Sequence, residues 1–275
     1  MNRSRDYDAL RRQSLPWVRQ AGRIAVERFG KAVTSRKADD SPVTDADHAV
    51  QAALLRSIAS RYPRDAVVTE ETQADPGKHA AVASARRCWV IDPIDGTRNY
   101  ARAVPFYCLS VALMEDGVPV VGIIYNPTTG ETFSAAAGAG AWLGRTRLPA
   151  GDPPPRMETV IATPSGQRNA LPSAVHGWFN RYKLRNTGST ALHLAYLAGG
   201  GFDAVLLTEC HIWDIAAGWL IARETGVVAR SLDGRELFPM DLASEAGREI
   251  SFLAAHPTRT EGYGAMAMLG GTITF

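Results

Sequence analysis

Two aspartates, Asp92 and Asp95, follow a short apolar run in the segment Trp89-Val90-Ile91-Asp92-Pro93-Ile94-Asp95-Gly96-Thr97. A strand that ends there would deliver both carboxylates to one edge of a sheet. Neighbouring carboxylates repel each other unless a cation lies between them, and Mg²⁺ is a hard cation that prefers oxygen ligands. The segment therefore indicates a metal site, although the two aspartates could instead cap a helix or shape a turn.

Three further acidic residues could complete such a site. Glu70 follows the short apolar run over 67–69, so it also stands at the end of a predicted strand. Asp214 opens an apolar helical segment, where the helix dipole alone would favour an acid. Thr44 and Asp47 have the spacing of a capping box, which explains Asp47 without any function. Each position has a structural explanation, and only their combination with the aspartate pair suggests chemistry.

Hydrophobic periodicity places these residues in an α+β order of elements at the front of the chain. It predicts helices over 6–29 and 44–61 and short strands over 67–69 and 88–91, the second of them stopped by Asp92-Pro93. Strands predicted over 106–114, 118–125 and 131–135 are joined by turn signals. This succession favours an antiparallel meander.

Beyond a stretch rich in Pro and Gly over 148–155, strands and helices alternate in an α/β pattern. The predicted strands are 160–162, 204–207, 227–229 and 250–255, and the predicted helices are 189–198, 213–225 and a short one after Pro257. We expect a boundary between an N-terminal α+β lobe, 1–147, with the metal-binding motifs and a C-terminal α/β lobe, 148–275, that completes the active site within one compact unit.

The composition is that of an ordinary globular protein and restricts the possible functions. The 275 residues include 30 Lys and Arg against 28 Asp and Glu, and the formal net charge of +2 disfavours nucleic-acid binding by bulk basicity. A hydrophobic content of 45% excludes intrinsic disorder. The three cysteines have no disulfide or zinc spacing. Neither a signal peptide nor a membrane span is apparent, so we expect a cytoplasmic protein without membrane partners.

Taken together, the motifs resemble those of the inositol monophosphatase family, which consists of lithium-sensitive, Mg²⁺-dependent phosphomonoesterases. The likeness extends over about 37–255 and rests on Glu70-Glu71, on Asp92-Pro93-Ile94-Asp95-Gly96-Thr97 and on Trp213-Asp214 with Ala216-Ala217-Gly218. The resemblance implies a layered α-β-α-β-α sandwich. It also implies Mg²⁺-dependent hydrolysis of a small phosphomonoester, such as an inositol monophosphate or a related polyol or sugar phosphate.

The resemblance also implies a metal-binding role for individual residues. Glu70, Asp92 and the Ile94 carbonyl would hold a first Mg²⁺. Asp92, Asp95 and Asp214 would hold a second, so that Asp92 bridges the two ions. Glu70 with water would hold a third and weaker ion. A pair of metal ions would supply the charge neutralisation that in-line phosphoryl transfer needs at its entering and leaving oxygens.

Catalytic and phosphate-binding roles follow from the same resemblance. Thr97, oriented by Asp47, would position and help deprotonate the attacking water, with Glu70 also taking part in catalysis. Gly96 permits an unusual turn, and a helix that begins after it would direct free backbone N–H groups outward. The amides of Gly96 and Thr97 would thus hold the phosphate.

The substrate is less closely specified. Family members that act on inositol phosphates commonly carry a sugar-binding acid seven positions before the aspartate of the Trp-Asp motif, and this chain has Leu207 there. Glu209, two residues later, could substitute only if the loop over 208–212 is reshaped. The other candidate substrate contacts are Asp95, Ser165, Gly188, Ser189 and Thr190.

Two alternatives stay open. Phosphatases for histidinol phosphate, fructose 1,6-bisphosphate or 3′-phosphoadenosine nucleotides share the metal motifs. From a different class, the chain could be an interaction or regulatory protein with a residual phosphatase site, because some bacterial members of the family are associated with the transcription machinery. The expected partners are a small phosphorylated metabolite and, by family habit, a second copy in a homodimer.

Overall fold

We analysed a computed structural model, which describes residues 3–36, 42–72, 85–151, 154, 157–164, 177–178, 180–245 and 247–257. Its α-helices are α1 (Arg3–Arg28), α2 (Asp45–Arg61), α3 (Thr97–Ala101), α4 (Thr190–Ala198), α5 (Ile212–Arg223) and α6 (Leu242–Glu245). The strands of the N-terminal half are β1 (Thr34–Arg36), β2 (Pro42–Thr44), β3 (Ala66–Thr69), β4 (Arg87–Asp95), β5 (Cys108–Glu115), β6 (Val118–Tyr125), β7 (Thr132–Ala136), β8 (Gly140–Leu143) and β9 (Thr146–Arg147). Those of the C-terminal half are β10 (Val160–Ala162), β11 (Lys183–Arg185), β12 (Ala204–Cys210), β13 (Val228–Ser231) and β14 (Ile250–Ala255).

Two larger sheets form the framework. The first has seven strands in the sequential order β3 to β9, and all its pairs are antiparallel except β3 with β4. The second has five strands in the order β11-β10-β12-β14-β13, with β10 parallel to β11 and β12 and the other pairs antiparallel. The predicted meander is therefore confirmed, and the C-terminal sheet is mixed.

Alternating side chains of the strands pack into separate layers. In β5, Leu109 and Val111 face a core shared with α1 and α2, whereas Ala112 faces a second core shared with α4 and α5. In β12, Leu207 faces the second core, and Leu206 faces a third core that includes Trp178. The layers thus run from α1 and α2 through the first sheet, α4 and α5 to the second sheet, which confirms a layered α+β fold.

Helix α5 packs closely against the first sheet although it belongs to the C-terminal half of the chain. A Cβ atom at Gly122 in β6 would lie 2.6 Å from the backbone oxygen of Ala217 in α5. Glycine permits this contact because it has no side chain. The close packing brings the first turn of α5 beside β4 and β5. The division of the chain at residue 148 stays a prediction.

The predicted end of β4 was wrong. The strand was predicted to stop at Asp92-Pro93, but β4 continues to Asp95. Its pairing with β5 is irregular between Asp92 and Asp95, and the Asp92 carboxylate accepts the backbone N–H of Ile94 at 2.9 Å. Such an irregularity accommodates Pro93, which has no N–H to donate to the ladder.

Most other predicted elements are present with boundaries moved by a few residues. Helix α2 begins at the predicted capping box of Thr44 and Asp47. Strand β12 is longer than predicted and extends to Cys210. The helix predicted after Pro257 lies outside the described residues. No helix in the described ranges combines the length and the apolar composition needed to cross a membrane.

Candidate active site

The end of β4 and the start of α5 bring three aspartates together. Asp92, Asp95 and Asp214 each offer one carboxylate oxygen, and these oxygens lie within 4.8 Å of one another. Asp92 is 2% exposed and Asp95 is 7% exposed, while Asp214 is half-buried. Buried charges of one sign need a counter-charge, because the protein interior screens them poorly. The three carboxylates are therefore suited to a divalent cation.

Asp214 is held in place by the first turn of α5. Its carboxylate accepts the backbone N–H of His211 at 2.7 Å. The hydroxyl of Ser110 in β5 donates to the carbonyl oxygen of Trp213 at 3.0 Å, which fixes the start of the helix against the first sheet. The His211 ring stacks on the Trp213 ring with centroids 4.7 Å apart. These contacts place Asp214 beside β4 from a distant part of the sequence.

Asp95 is held by the N-terminus of α4. Its carboxylate accepts the backbone N–H of Ala191 at 2.8 Å and that of Thr190 at 3.3 Å. The Ser189 hydroxyl, which is the N-cap of α4, also donates to it. The partial positive charge of a helix N-terminus stabilises a carboxylate in this position. Ser189 and Thr190 were predicted to contact the substrate. In the structure, both of them donate hydrogen bonds to Asp95, which is a candidate metal ligand.

The pKa values of the aspartates reflect both burial and mutual repulsion. Burial raises the pKa of Asp92 well above its usual range, and the negative charges of Glu70, Asp95 and Asp214 raise it further. Burial also raises the pKa of Asp95 to about 6, against the opposing effect of its hydrogen bonds. The ionised forms therefore need a cation. An all-oxygen donor set of this kind fits Mg²⁺.

Glu70 lies at the same edge of the sheet, in a short 3-10 turn that directly follows β3. Because β3 and β4 are parallel neighbours, their carboxyl ends meet at this edge. Among the charged groups around Asp92, the carboxylate of Glu70 has the largest effect on its pKa. Glu70 is outside the group of three aspartates with mutually close oxygens found in the described residues. Glu70 is therefore a neighbour of Asp92, but its carboxylate does not belong to the compact group that the three aspartates form.

Thr97 and Asp47 form the predicted pair. The Thr97 hydroxyl lies 3.3 Å from Asp47 Oδ1 and 2.9 Å from the Ile94 carbonyl oxygen. The other oxygen of Asp47 accepts the backbone N–H of Thr44 at 2.9 Å and its hydroxyl at 2.5 Å. Burial raises the pKa of Asp47. The capping role and the contact with Thr97 are compatible, because each uses a different carboxylate oxygen.

Gly96 is required where β4 turns into α3. Its φ of +93° lies in the left-handed region, which other residues rarely adopt. A Cβ atom there would lie 3.1 Å from the Phe106 carbonyl oxygen and 3.2 Å from that of Gly188. The carbonyl of Gly96 accepts the backbone N–H of Asn99 and Tyr100, so α3 begins directly after it. The first amides of a helix have no carbonyl partner within it.

The structure clarifies the positions of the other substrate candidates. Leu207 is 1% exposed and belongs to the core between the two sheets. Glu209 is half-buried and has a φ of +55°, and the pairing of β12 is irregular between Leu207 and Cys210. The backbone is thus irregular around Glu209, within the segment whose reshaping would allow Glu209 to take the place of the acid that is missing at Leu207. Ser165 lies outside the described residues.

Sequence reasoning missed one residue that contacts the site, Cys108, and one that lies next to it, Asn99. Cys108 is buried with its sulfur 3.8 Å from Asp95 Oδ2 and 3.7 Å from the Ser189 hydroxyl oxygen. Asn99 follows the motif and donates from its side-chain amide to carbonyl groups in both halves of the chain. Cys108 pairs with Asp95 in the β4–β5 ladder, so a correct prediction of this strand pairing could have suggested it. Nothing in the local pattern marks Asn99, because its partners are distant in sequence.

Comparison with known proteins defines the class. The model of the inositol monophosphatase family matches residues 6–262. The chain therefore belongs to the inositol monophosphatase family, as the motifs predicted.

Individual relatives agree with this assignment. The chain is 33% identical over 226 residues to the Nus factor SuhB of Pasteurella multocida, a match that covers 79% of this chain and 83% of that protein. The crystal structure of the extragenic suppressor protein suhB from Bartonella henselae is similar with a TM-score of 0.80 and 26% identity, covering 96% of this chain and 100% of that one. A structure of an IMPase/NADP phosphatase complexed with Mg²⁺ and phosphate has a TM-score of 0.81 at 20% identity, covering 97% of each chain, and shares the fold.

Proposed function

We propose that the protein is a Mg²⁺-dependent phosphatase that hydrolyses a small phosphomonoester and releases inorganic phosphate. The observation that carries this proposal is the group of three aspartates, Asp92, Asp95 and Asp214, with oxygens within 4.8 Å of one another. Two of them are buried at the end of one strand, and Thr97, two residues after that end, has a carboxylate partner in Asp47. Family membership supports the same activity.

The proposed metal ligands follow the family pattern. Glu70, Asp92 and the Ile94 carbonyl would hold one Mg²⁺, and Asp92, Asp95 and Asp214 a second. A third, weaker ion would lie at Glu70. Bound Mg²⁺ would neutralise the charge of the phosphate and lower the pKa of a coordinated water. Burial and, after it, repulsion by the neighbouring carboxylates raise the pKa of Asp92, and a divalent cation would relieve that repulsion, which supports this assignment.

Thr97 and Asp47 would orient the attacking water. The Thr97 hydroxyl has one proton and two acceptors within reach, the Asp47 carboxylate and the Ile94 carbonyl. When Thr97 donates to Asp47, its oxygen lone pairs are free to accept a hydrogen bond from the water and align the water for attack. Asp47 is fixed by two hydrogen bonds from Thr44, so this orientation requires no rearrangement.

The phosphate would lie at the start of α3. The backbone amides of Gly96 and Thr97 precede the first intrahelical hydrogen bonds, which run from Asn99 and Tyr100 to the Gly96 carbonyl. Amides in this position can donate to phosphate oxygens. They would keep the phosphorus in line with a water held at Thr97.

The alcohol part of the substrate would be a polyol or sugar, contacted from the C-terminal half. Leu207 is buried in the core and has no oxygen to offer a hydroxyl group. Glu209 would take over that contact from the irregular end of β12. Gly188, Ser189, Thr190 and Ser165 are the remaining proposed contacts, together with Asp95. A cytoplasmic homodimer is the proposed working form.

A second candidate function has support in the comparisons. Relatives at 30–33% identity are named Nus factor SuhB, so an interaction role with a residual site is the alternative. The complete set of proposed metal ligands favours catalysis. These two functions do not exclude each other.

The test is a phosphate-release assay over sugar, polyol, nucleotide and amino-alcohol phosphates, with Mg²⁺ and with a chelator. Asp95→Asn should abolish Mg²⁺-dependent release without unfolding the chain. Asp116→Asn, an exposed acid in the β5–β6 turn, is the matched control and should retain full activity. Full activity of Asp95→Asn would refute the assignment. No turnover of any substrate by the unmodified chain would favour the interaction role.

A further inference from the structure

Asn99 connects the two halves of the chain beside the candidate active site. Its side-chain nitrogen donates to the Phe106 carbonyl oxygen at 2.7 Å and to the Thr187 carbonyl oxygen at 2.7 Å. Phe106 precedes β5 in the first sheet, and Thr187 precedes α4. Both hydrogens of one amide are therefore used to join segments that belong to different halves.

The loop over 187–189 is enclosed between Asn99 and Gly96. A Cβ atom at Gly188 would lie 2.7 Å from the side-chain nitrogen of Asn99, and Gly188 has a φ of +81°. On the other side, the carbonyl oxygen of Gly188 lies 3.2 Å from the position that a Cβ atom of Gly96 would take. A side chain at either glycine would collide with these atoms, so the close approach of the loop to Asn99 and Gly96 depends on glycine at both positions.

The same loop is anchored to α4 by His193. The backbone N–H of Thr187 donates to His193 Nε2 at 3.3 Å, and the Thr187 hydroxyl also contacts this nitrogen. His193 is buried in the second turn of the helix. Thr187 is thus bound through its carbonyl to Asn99 and through its N–H and hydroxyl to α4, so movement of the loop would move the helix N-terminus.

The helix N-terminus in turn determines the orientation of Asp95. Ser189 immediately follows the loop and donates to Asp95 Oδ2, while the amides of Thr190 and Ala191 donate to the same carboxylate. Asp95 is one of the three aspartates with mutually close oxygens. Asn99 is therefore connected to this carboxylate by its hydrogen bond to Thr187, by the backbone of the loop over 187–189 and by the hydrogen bond from Ser189.

We infer that Asn99 is a positioning residue that holds the start of α4 against Asp95 and thereby sets the Mg²⁺ affinity of the site. The inference rests on the proposed function, because it assumes that Asp95 is a metal ligand. Asn99 itself lies behind the loop and acts through Thr187 and Asp95. Residues that orient metal ligands commonly change metal affinity by roughly 10- to 100-fold when they are replaced.

The decisive variant is Asn99→Asp, which keeps the shape of the side chain but replaces the donor nitrogen by an acceptor oxygen. That oxygen would face two carbonyl oxygens, so the loop is expected to separate from it. We expect the Mg²⁺ dissociation constant, measured by calorimetry on the full chain, to rise roughly 10-fold or more. kcat at saturating Mg²⁺ should fall less than kcat/KM at low Mg²⁺. If Asn99→Asp does not fold, Asn99→Ser, which keeps one hydroxyl donor, is measured in the same way.

The control is Glu224→Gln. Like Asn99, Glu224 joins two distant segments through a pair of hydrogen bonds to the backbone. Its carboxylate accepts the N–H groups of Gly138 and Gly140 at 2.9 and 2.8 Å. Glu224 is the C-cap of α5, at the opposite end of this helix from Asp214. Glu224→Gln should lower Tm, because it disturbs these hydrogen bonds, and should leave the Mg²⁺ dissociation constant unchanged, because the site is distant. An unchanged constant in the folded Asn99 variant, with normal Mg²⁺ binding by the unmodified chain, would overturn this inference alone. No Mg²⁺ binding by the unmodified chain would overturn the proposed function as well.

Discussion

The backbone N–H of Ala191 donates a hydrogen bond of 2.8 Å to the carboxylate of Asp95. This contact joins the first turn of α4 in the C-terminal half to the end of β4 in the first sheet. The candidate metal site is therefore assembled from both halves of the chain, with Asp214 of α5 as a second contribution from the C-terminal half. The individual carboxylates become a site only after the layers have packed.

Replacement of Thr97 tests the proposed orientation of the attacking water. Thr97→Val keeps the shape of the side chain and removes the hydroxyl that lies 3.3 Å from Asp47 Oδ1. We expect kcat to fall roughly 10²- to 10⁴-fold, because a positioned proton-transfer group is lost, with a smaller change in KM. Thr97→Ser restores the hydroxyl and should recover most of the activity. Steady-state kinetics at saturating Mg²⁺ distinguish the two variants, and wild-type kcat in Thr97→Val would exclude this role.

The raised pKa of Asp95 predicts an unusual pH dependence for the metal-free protein. Burial raises the pKa of Asp95 to about 6 in the folded chain, from an ordinary value of 3.8. Between these values Asp95 binds a proton more often in the folded state than in the unfolded state, so its contribution to the free energy of unfolding falls as pH rises and levels off above pH 6. This contribution is measured by denaturant titrations without Mg²⁺, as the difference in the pH dependence of the free energy of unfolding between the unmodified chain and Asp95→Asn. A slope of the same size in Asp95→Asn would show that other groups cause it.

Mg²⁺ should reverse that trend. It binds the ionised carboxylates of the folded chain, so it should stabilise the protein at pH 7.5 and lose this effect as pH falls below 6. At a concentration 100 times the dissociation constant the expected gain is about 2.7 kcal/mol. Thermal unfolding curves recorded with and without Mg²⁺ at pH 5 and at pH 7.5 measure this stabilisation. Equal stabilisation at pH 5 and pH 7.5 would contradict binding by these aspartates.

His193 should make the fold sensitive to acid in the opposite direction. Burial lowers the pKa of His193 to about 4 from 6.5, so the ring is neutral in the folded chain at neutral pH. Its contribution to stability is complete above pH 6.5 and is lost as pH falls toward 4, by up to about 3 kcal/mol. His193→Gln should remove this loss, whereas His48→Gln, at an exposed position, should not. The comparison uses the difference in the free energy of unfolding between pH 7 and pH 4.5.

The sequence predicted the acidic motifs and most elements because these depend on local patterns. Asp92 and Asp95 follow an apolar run, and the capping box at Thr44 is visible in four consecutive residues. The prediction that β4 stops at Pro93 failed because an irregular pairing with β5 satisfies the backbone there. That compensation depends on the neighbouring strand, which a local rule for proline does not consider.

Contacts between distant segments were beyond the sequence analysis. Asn99 and Thr187 are 88 positions apart, and their hydrogen bond exists only because the loop that precedes α4 lies beside α3. The hydrogen bond from the Ser189 hydroxyl to Asp95 was likewise not predicted, and the role of Ser189 as a substrate contact stays a prediction. A single sequence shows which residues could do chemistry. It does not show which side chains hold them in place, because that depends on the packing of layers.

Glu209 offers a test of whether backbone strain serves substrate selection. Its φ of +55° is costly for a residue with a side chain, by roughly 1 kcal/mol, and Glu209→Gly should therefore maintain or increase the free energy of unfolding. If the Glu209 carboxylate contacts a hydroxyl group of the substrate, the same variant should lower kcat/KM for polyol phosphates about 10-fold or more, with little change for an aryl phosphate. Asp116→Gly, at an exposed turn position with a φ of +52°, is the matched control and should alter stability alone. Unchanged kcat/KM for every phosphate in Glu209→Gly would mean that the strained backbone has no part in substrate recognition.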